Sequence, residues 1–140
     1  MGIVHASVEL INSIDKENAR RCLIDPDDIR KIGVRVMVDS GCLHMAINEN
    51  IQELLQLPVV GKEKLELASG EIVHYDIVGP LEVRFEEYSA HCAAVVLPGN
   101  SEPLLGAIPM EAMNVIIHPS REELVHSSKP VPLVGLRPVK

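Results

Sequence analysis

Apolar and polar side chains alternate along residues 2–11, with Val4, Ala6, Val8 and Leu10 on one face and Ile3, His5, Ser7 and Glu9 on the other. That period of two predicts a strand with one wet face. Residues 12–30 are polar and charged and carry Asp25-Pro26-Asp27-Asp28, which predicts a surface connection with a short turn of helix. A second strand is predicted over 32–38. Residues 47–57 then show Ile51, Leu54 and Leu55 at helical spacing, an amphipathic helix with Asn48 as its N-cap. Beyond Pro58 the period returns to two. Strands are predicted over 64–68 and 71–78, joined by a Ser69-Gly70 turn, and over 81–85 and 91–97, joined by Glu86-Glu87-Tyr88. Leu104-Leu105-Gly106 reads as a strand ending in glycine, with a short helix opened by Pro109. A last hairpin is predicted from 114–118 and 122–125, and residues 127–140 form a proline-containing tail. Six to eight short strands with one or two short helices indicate an all-β barrel or sandwich, not βαβ units.

Composition narrows this picture. The 140 residues are 46% hydrophobic and 24% charged, with one Phe, two Tyr and no Trp, so the core is aliphatic and suits strands. That length predicts one domain over 1–126, followed by the tail. The net charge of −7 argues against a nucleic-acid partner, whose phosphates call for a basic face. No apolar run approaches the roughly twenty residues of a membrane helix, so no membrane partner is expected and the chain reads as cytoplasmic. Three widely spaced cysteines, Cys22, Cys42 and Cys92, make neither a disulfide framework nor a metal knuckle.

The candidate chemistry lies in Val36-Met37-Val38-Asp39-Ser40-Gly41-Cys42-Leu43. A β-branched run there delivers an acid into a turn, and such a carboxylate must find hydrogen-bond donors or share a proton with another acid. The plain alternative is an Asp that begins a turn. Zinc at Cys42, His44, His74, His91 and Cys92 is disfavoured by spacing, and Cys42 and Cys92 read as small core residues. His5, His118 and His126 read as surface polar residues. The acids Asp25, Asp27, Asp28, Glu86 and Glu87 read as solvated loops, and Leu54, Leu55, Met110 and Met113 as core.

In order and separation, Val38-Asp39-Ser40-Gly41, the hairpin tip at Ser69-Gly70 and Leu104-Leu105-Gly106 resemble the retropepsin-like (clan AA) aspartic proteases, small bacterial type. The resemblance spans most of residues 2–125. It implies a closed acid-protease β-barrel acting as a two-fold homodimer, an aspartic endopeptidase in which Asp39 of each chain forms one dyad. It further implies that Ser40 and Gly41 support the catalytic loop, and that Ala68, Ser69 and Gly70 form a flap over an extended peptide or protein substrate. Leu105 and Gly106 would pack beneath the loop, the tail and first strand would supply an intersubunit sheet, and no metal or organic cofactor would be needed. The positions at which viral members carry an ion pair are Leu43 and Ala107 here, so both halves of that pair are missing together. A non-catalytic binding or regulatory module on the same fold is the alternative.

Overall fold

The computed structural model describes residues 2–66 and 68–127. Of these, 50% lie in strands and 20% in helices, so the chain is mostly β. β1 (Val4–Asn12) pairs antiparallel with β2 (Lys31–Val38), Val4 opposite Val38 and Leu10 opposite Ile32. The predicted connection between them contains an eight-residue helix, α1 (Ser13–Arg20), and a single 3-10 turn, Pro26–Asp28. The Asn12 side chain caps α1 by accepting from the Ile14 and Asp15 amides at 3.0 and 3.1 Å. Asp15 is the only buried residue of α1, so no apolar stripe announces this helix in the sequence. Asp15 instead accepts from the Arg30 amide at 2.9 Å and from its guanidinium at 2.8 and 2.9 Å, fastening α1 to the start of β2.

The predicted 47–57 helix begins later than its spacing suggests. Met45–Asn48 form β3, and only Glu49–Leu55 are helical, as α2. All four β3 residues are buried, because β3 lies between two other strands, and a strand buried on both faces loses the alternation that marks strands. Asn48 does cap α2, its Oδ1 accepting from the Ile51 amide at 2.9 Å. β4 (Val59–Glu66) and β5 (Ile72–Phe85) form the first predicted hairpin, and β5 is one continuous strand where two were expected. A register shift between Val78 and Leu81 lets it turn at Gly79-Pro80 and continue pairing with β6 (Tyr88–Leu97). β7 (Leu104–Leu105) leads into α3 (Ala107–Met113), whose N-cap is Gly106, with Pro109 inside the first turn. β8 (Val115–His118) and β9 (Glu123–His126) make a separate ribbon.

The large sheet is mixed, in the order β1-β2-β7-β3-β6-β5-β4, with β2–β7 and β3–β6 parallel. It is not a regular barrel, although β1 also pairs with the far half of β5, Leu10 opposite Val83. The inner faces of the strands supply an aliphatic core that includes Leu10, Val36, Met45, Ile47, Leu81, Val83 and Leu105, all at 0% exposure. Burying each side chain of this size contributes about 2 kcal/mol. Leu55, Met110 and Met113 join that core, as their spacing predicts. Leu54 does not: it is 46% exposed. The tail residues beyond Ser127 lie outside the described residues, as does Leu67. No helix among the described residues is long and apolar enough to cross a membrane.

Candidate active site

β2 ends at Val38, and its hydrogen-bonding pattern continues one residue further. The Met37 amide donates to the Pro103 carbonyl at 2.9 Å and the Asp39 amide to the Leu105 carbonyl at 3.0 Å. The short strand β7 therefore grips both the end of β2 and the first residue of the loop. Within the loop the Cys42 amide closes a turn onto the Asp39 carbonyl at 3.1 Å, and the Asp39 carboxylate accepts from the Gly41 amide at 2.9 Å. From the other side, the first amides of α3 reach into the loop, Ala107 to the Cys42 carbonyl at 2.7 Å and Ile108 to the Leu43 carbonyl at 3.0 Å. These two bonds satisfy donors that a helix N-terminus otherwise leaves open.

Gly106 sits where these strands converge. A Cβ placed there would lie 2.2 Å from the His44 carbonyl oxygen and 2.7 Å from that of Cys42, so no side chain fits beneath the loop. Leu105 is fully buried beside it. At Leu43 and Ala107, main-chain bonds thus join the loop to α3 without a side-chain ion pair. The Cys42 thiol is half-buried and donates to the His44 carbonyl at 3.4 Å.

Asp39 is half-buried, while Ser40 and Gly41 are exposed. Asp39 and Ser40 border a cavity of about 300 Å³, walled on its apolar sides by Ile3, Met37 and Ile117. Glu122 lines the same cavity, a second acid that residue spacing did not single out. It occupies the turn between β8 and β9 at a φ of 50°, its carboxylate lying against Gly2. Nothing local in the sequence marks it; only the placement of the β8–β9 ribbon beside the end of β2 brings it here. Apolar side chains stand exposed at this end of the molecule, Ile3 at 71%, Leu43 at 59% and Ile108 at 42%.

The three hairpin residues lie elsewhere. Ala68, Ser69 and Gly70 are exposed at the tip beyond the Glu66–Ile72 pair, and none of them lines the Asp39 cavity. Gly70 has φ +87°, which only glycine adopts without strain, and the Glu71 amide donates to the Ser69 hydroxyl at 3.4 Å.

Among the described residues, no three His, Cys, Asp or Glu side chains are placed to hold a metal ion. Burial pushes the Cys92 thiol up to about 11, which keeps it protonated and unreactive. His5 is half-buried and pairs with Glu102 at 2.6 Å, while the His126 ring stacks on Tyr88 with centroids 3.7 Å apart. A scan against protein-family models finds no match to the chain, and a search of curated proteins finds none.

Proposed function

We propose that this protein is an aspartic endopeptidase of retropepsin type, working as a homodimer in which Asp39 of each chain contributes one carboxylate. The observation that carries this reading is the junction at Gly106. There the Asp39 loop rests on Leu105-Gly106 with no room for a side chain, so two separate motifs hold one carboxylate at the edge of a cavity. The circuit of strand pairings β1-β2-β7-β3-β6-β5, which returns to β1, supports an acid-protease barrel. Exposed Ile3, Leu43 and Ile108 around Asp39 support a second chain packing against this end.

One half-buried carboxylate cannot act as acid and base at the same moment. Two brought together across a two-fold axis share a proton, because like charges that close do not both ionise. The ionised member takes a proton from a water, the water attacks the peptide carbonyl, and the protonated member donates to the departing nitrogen. The Gly41 amide holds the Asp39 carboxylate in place for this. The hairpin at Ala68, Ser69 and Gly70 would close over the peptide and give it main-chain hydrogen bonds. No metal or organic cofactor enters the scheme.

The same Asp39–Gly41 bond also favours a second reading, because an aspartate that merely stabilises its own turn makes it too. In that case the protein is a binding or regulatory module. Incubation with a library of extended peptides separates the two. The protease cleaves, prefers mildly acidic pH, is blocked by a statine-type hydroxyl mimic of the transition state, and loses cleavage in Asp39→Asn. Undiminished cleavage by Asp39→Asn, or a strictly monomeric protein at working concentration, would sink the protease reading.

A further inference from the structure

β2 is paired along its whole length on one side only. On the β1 side its bonds fall to even-numbered positions, as the Arg30 carbonyl accepting from the Asn12 amide shows. The opposite edge carries the odd-numbered positions, and there Met37 and Asp39 bond to the β7 segment. Since successive peptide groups of a strand face opposite edges, the amides and carbonyls of Lys31, Gly33 and Arg35 face the same way. Among the described residues no strand or loop bonds to them. Pro103, lacking an amide, ends the β7 pairing at this point.

This open edge borders a trough of about 450 Å³, larger than the cavity at Asp39. Its apolar walls are Ile32, Val34, Ile51, Leu54 and Pro103, and Arg35, Asn48 and Asn50 complete its border. Leu54, at 46% exposure, therefore borders an open trough beside main-chain groups that no described residue bonds. On the outer face of the same edge, Lys31 and Arg35 are exposed and neither enters an ion pair or a side-chain hydrogen bond among the described residues. Gly33 stands between them with open space where a side chain would be. The nearest acid on the neighbouring strand is Glu9, opposite Gly33.

We propose that this edge is a docking site for an extended peptide segment of another protein, one that alternates acidic and apolar residues. Such a segment would add as a strand to Lys31, Gly33 and Arg35. Its apolar side chains would enter the trough over Ile32, Val34 and Leu54, and its acidic ones would meet Lys31 and Arg35 on the other face. Charge selects this occupant. The two cations are unpaired on a chain of net charge −7, and they repel an identical edge from a second copy. The charged side chains of the chain's own segment 128–140 are Lys129, Arg137 and Lys140, which offer these two cations no complement. The site stands on the strand that ends in Asp39 but does not depend on Asp39 being catalytic.

The test uses the full chain and two fluorescein-labelled octapeptides, one alternating Glu with Val and one alternating Lys with Val, with binding read by anisotropy. The acidic peptide should bind. Lys31→Glu combined with Arg35→Glu should weaken it about tenfold or more at unchanged melting temperature, and should make the basic peptide the better ligand. Hydrogen exchange should show fast Gly33 and Arg35 amides in the free protein, slowed by the acidic peptide. No binding, equal binding of both peptides, or slow exchange at Gly33 and Arg35 in the free protein would overturn the proposal, the last because the edge would already be covered.

Discussion

The Asp39 loop and the β4–β5 hairpin tip are both turns that follow a strand, yet they are held in opposite ways. The loop is fastened from three sides: β7 bonds the Asp39 amide, α3 bonds the Cys42 and Leu43 carbonyls, and Gly106 fills the space beneath. The hairpin tip is exposed at Ala68, Ser69 and Gly70, and among the described residues its one side-chain bond is the 3.4 Å contact at Ser69. A group that must sit at one place in space is built into the sheet, whereas a segment that must move over a ligand is left with few restraints. The contrast fits the proposed division between a fixed acid and a closing flap.

The largest expected effect separates chemistry from scaffold. Asp39→Asn should lower peptide cleavage by about 10³-fold, within the span of a lost acid–base group. It should leave the urea midpoint unchanged, because the amide oxygen still accepts from the Gly41 amide. A loss of stability in that variant would mean that the charge, not the hydrogen bond, holds the loop.

Gly106→Ala should act the other way, through the scaffold. Its Cβ would overlap main-chain oxygens that cannot swing aside, costing about 3 kcal/mol in urea unfolding with the slope unchanged. Cleavage should fall with it. A neutral Gly106→Ala would break the claim that the loop is rigid.

The opposite end of β2 provides a control that touches neither turn. The hydrogen bonds from the Arg30 side chain hold the Asp15 carboxyl below its usual range, against the opposing pull of burial. The bonded form is the ionised one, so its contribution is complete above the unfolded-state value near 3.8 and is lost as pH falls through the lower folded-state value. Asp15→Asn should cost about 1–2 kcal/mol at neutral pH, tempered by the half-exposed Arg30. It should also flatten the fall in stability below pH about 4, read by melting temperature across an acid titration. Glu82 follows the same sign. Burial opposes its ionisation, but the bonds from Lys16 at 2.7 Å and Arg84 at 3.1 Å prevail and lower it.

The smallest stability effect belongs to the hairpin. Gly70→Ala should cost about 1 kcal/mol or less, the strain of a side chain at φ +87° confined to an exposed tip. Its effect on KM for an extended peptide should nevertheless exceed its effect on stability. Equal peptide kinetics in this variant would remove the tip from the site.

Local chemistry made several of these parts readable from the sequence. A β-branched run stopping at Asp39-Ser40-Gly41, an Asn48 suited to cap a helix, and a Ser69-Gly70 turn between alternating strands all depend on neighbours within a few residues. β3 and α1 were hidden for equally physical reasons: one is buried on both faces and shows no alternation, and the other is held by a cap and by the pairing of buried Asp15 with half-exposed Arg30 instead of an apolar stripe. What only the tertiary structure decided is who meets whom across long separations. The chain's periodicity says nothing of β7 lying between β2 and β3, of Glu122 reaching the cavity that Asp39 borders, or of the edge at Lys31, Gly33 and Arg35 that no described strand covers. A strand's pattern specifies which face is buried, but its edges are filled by whichever segment the whole topology brings alongside.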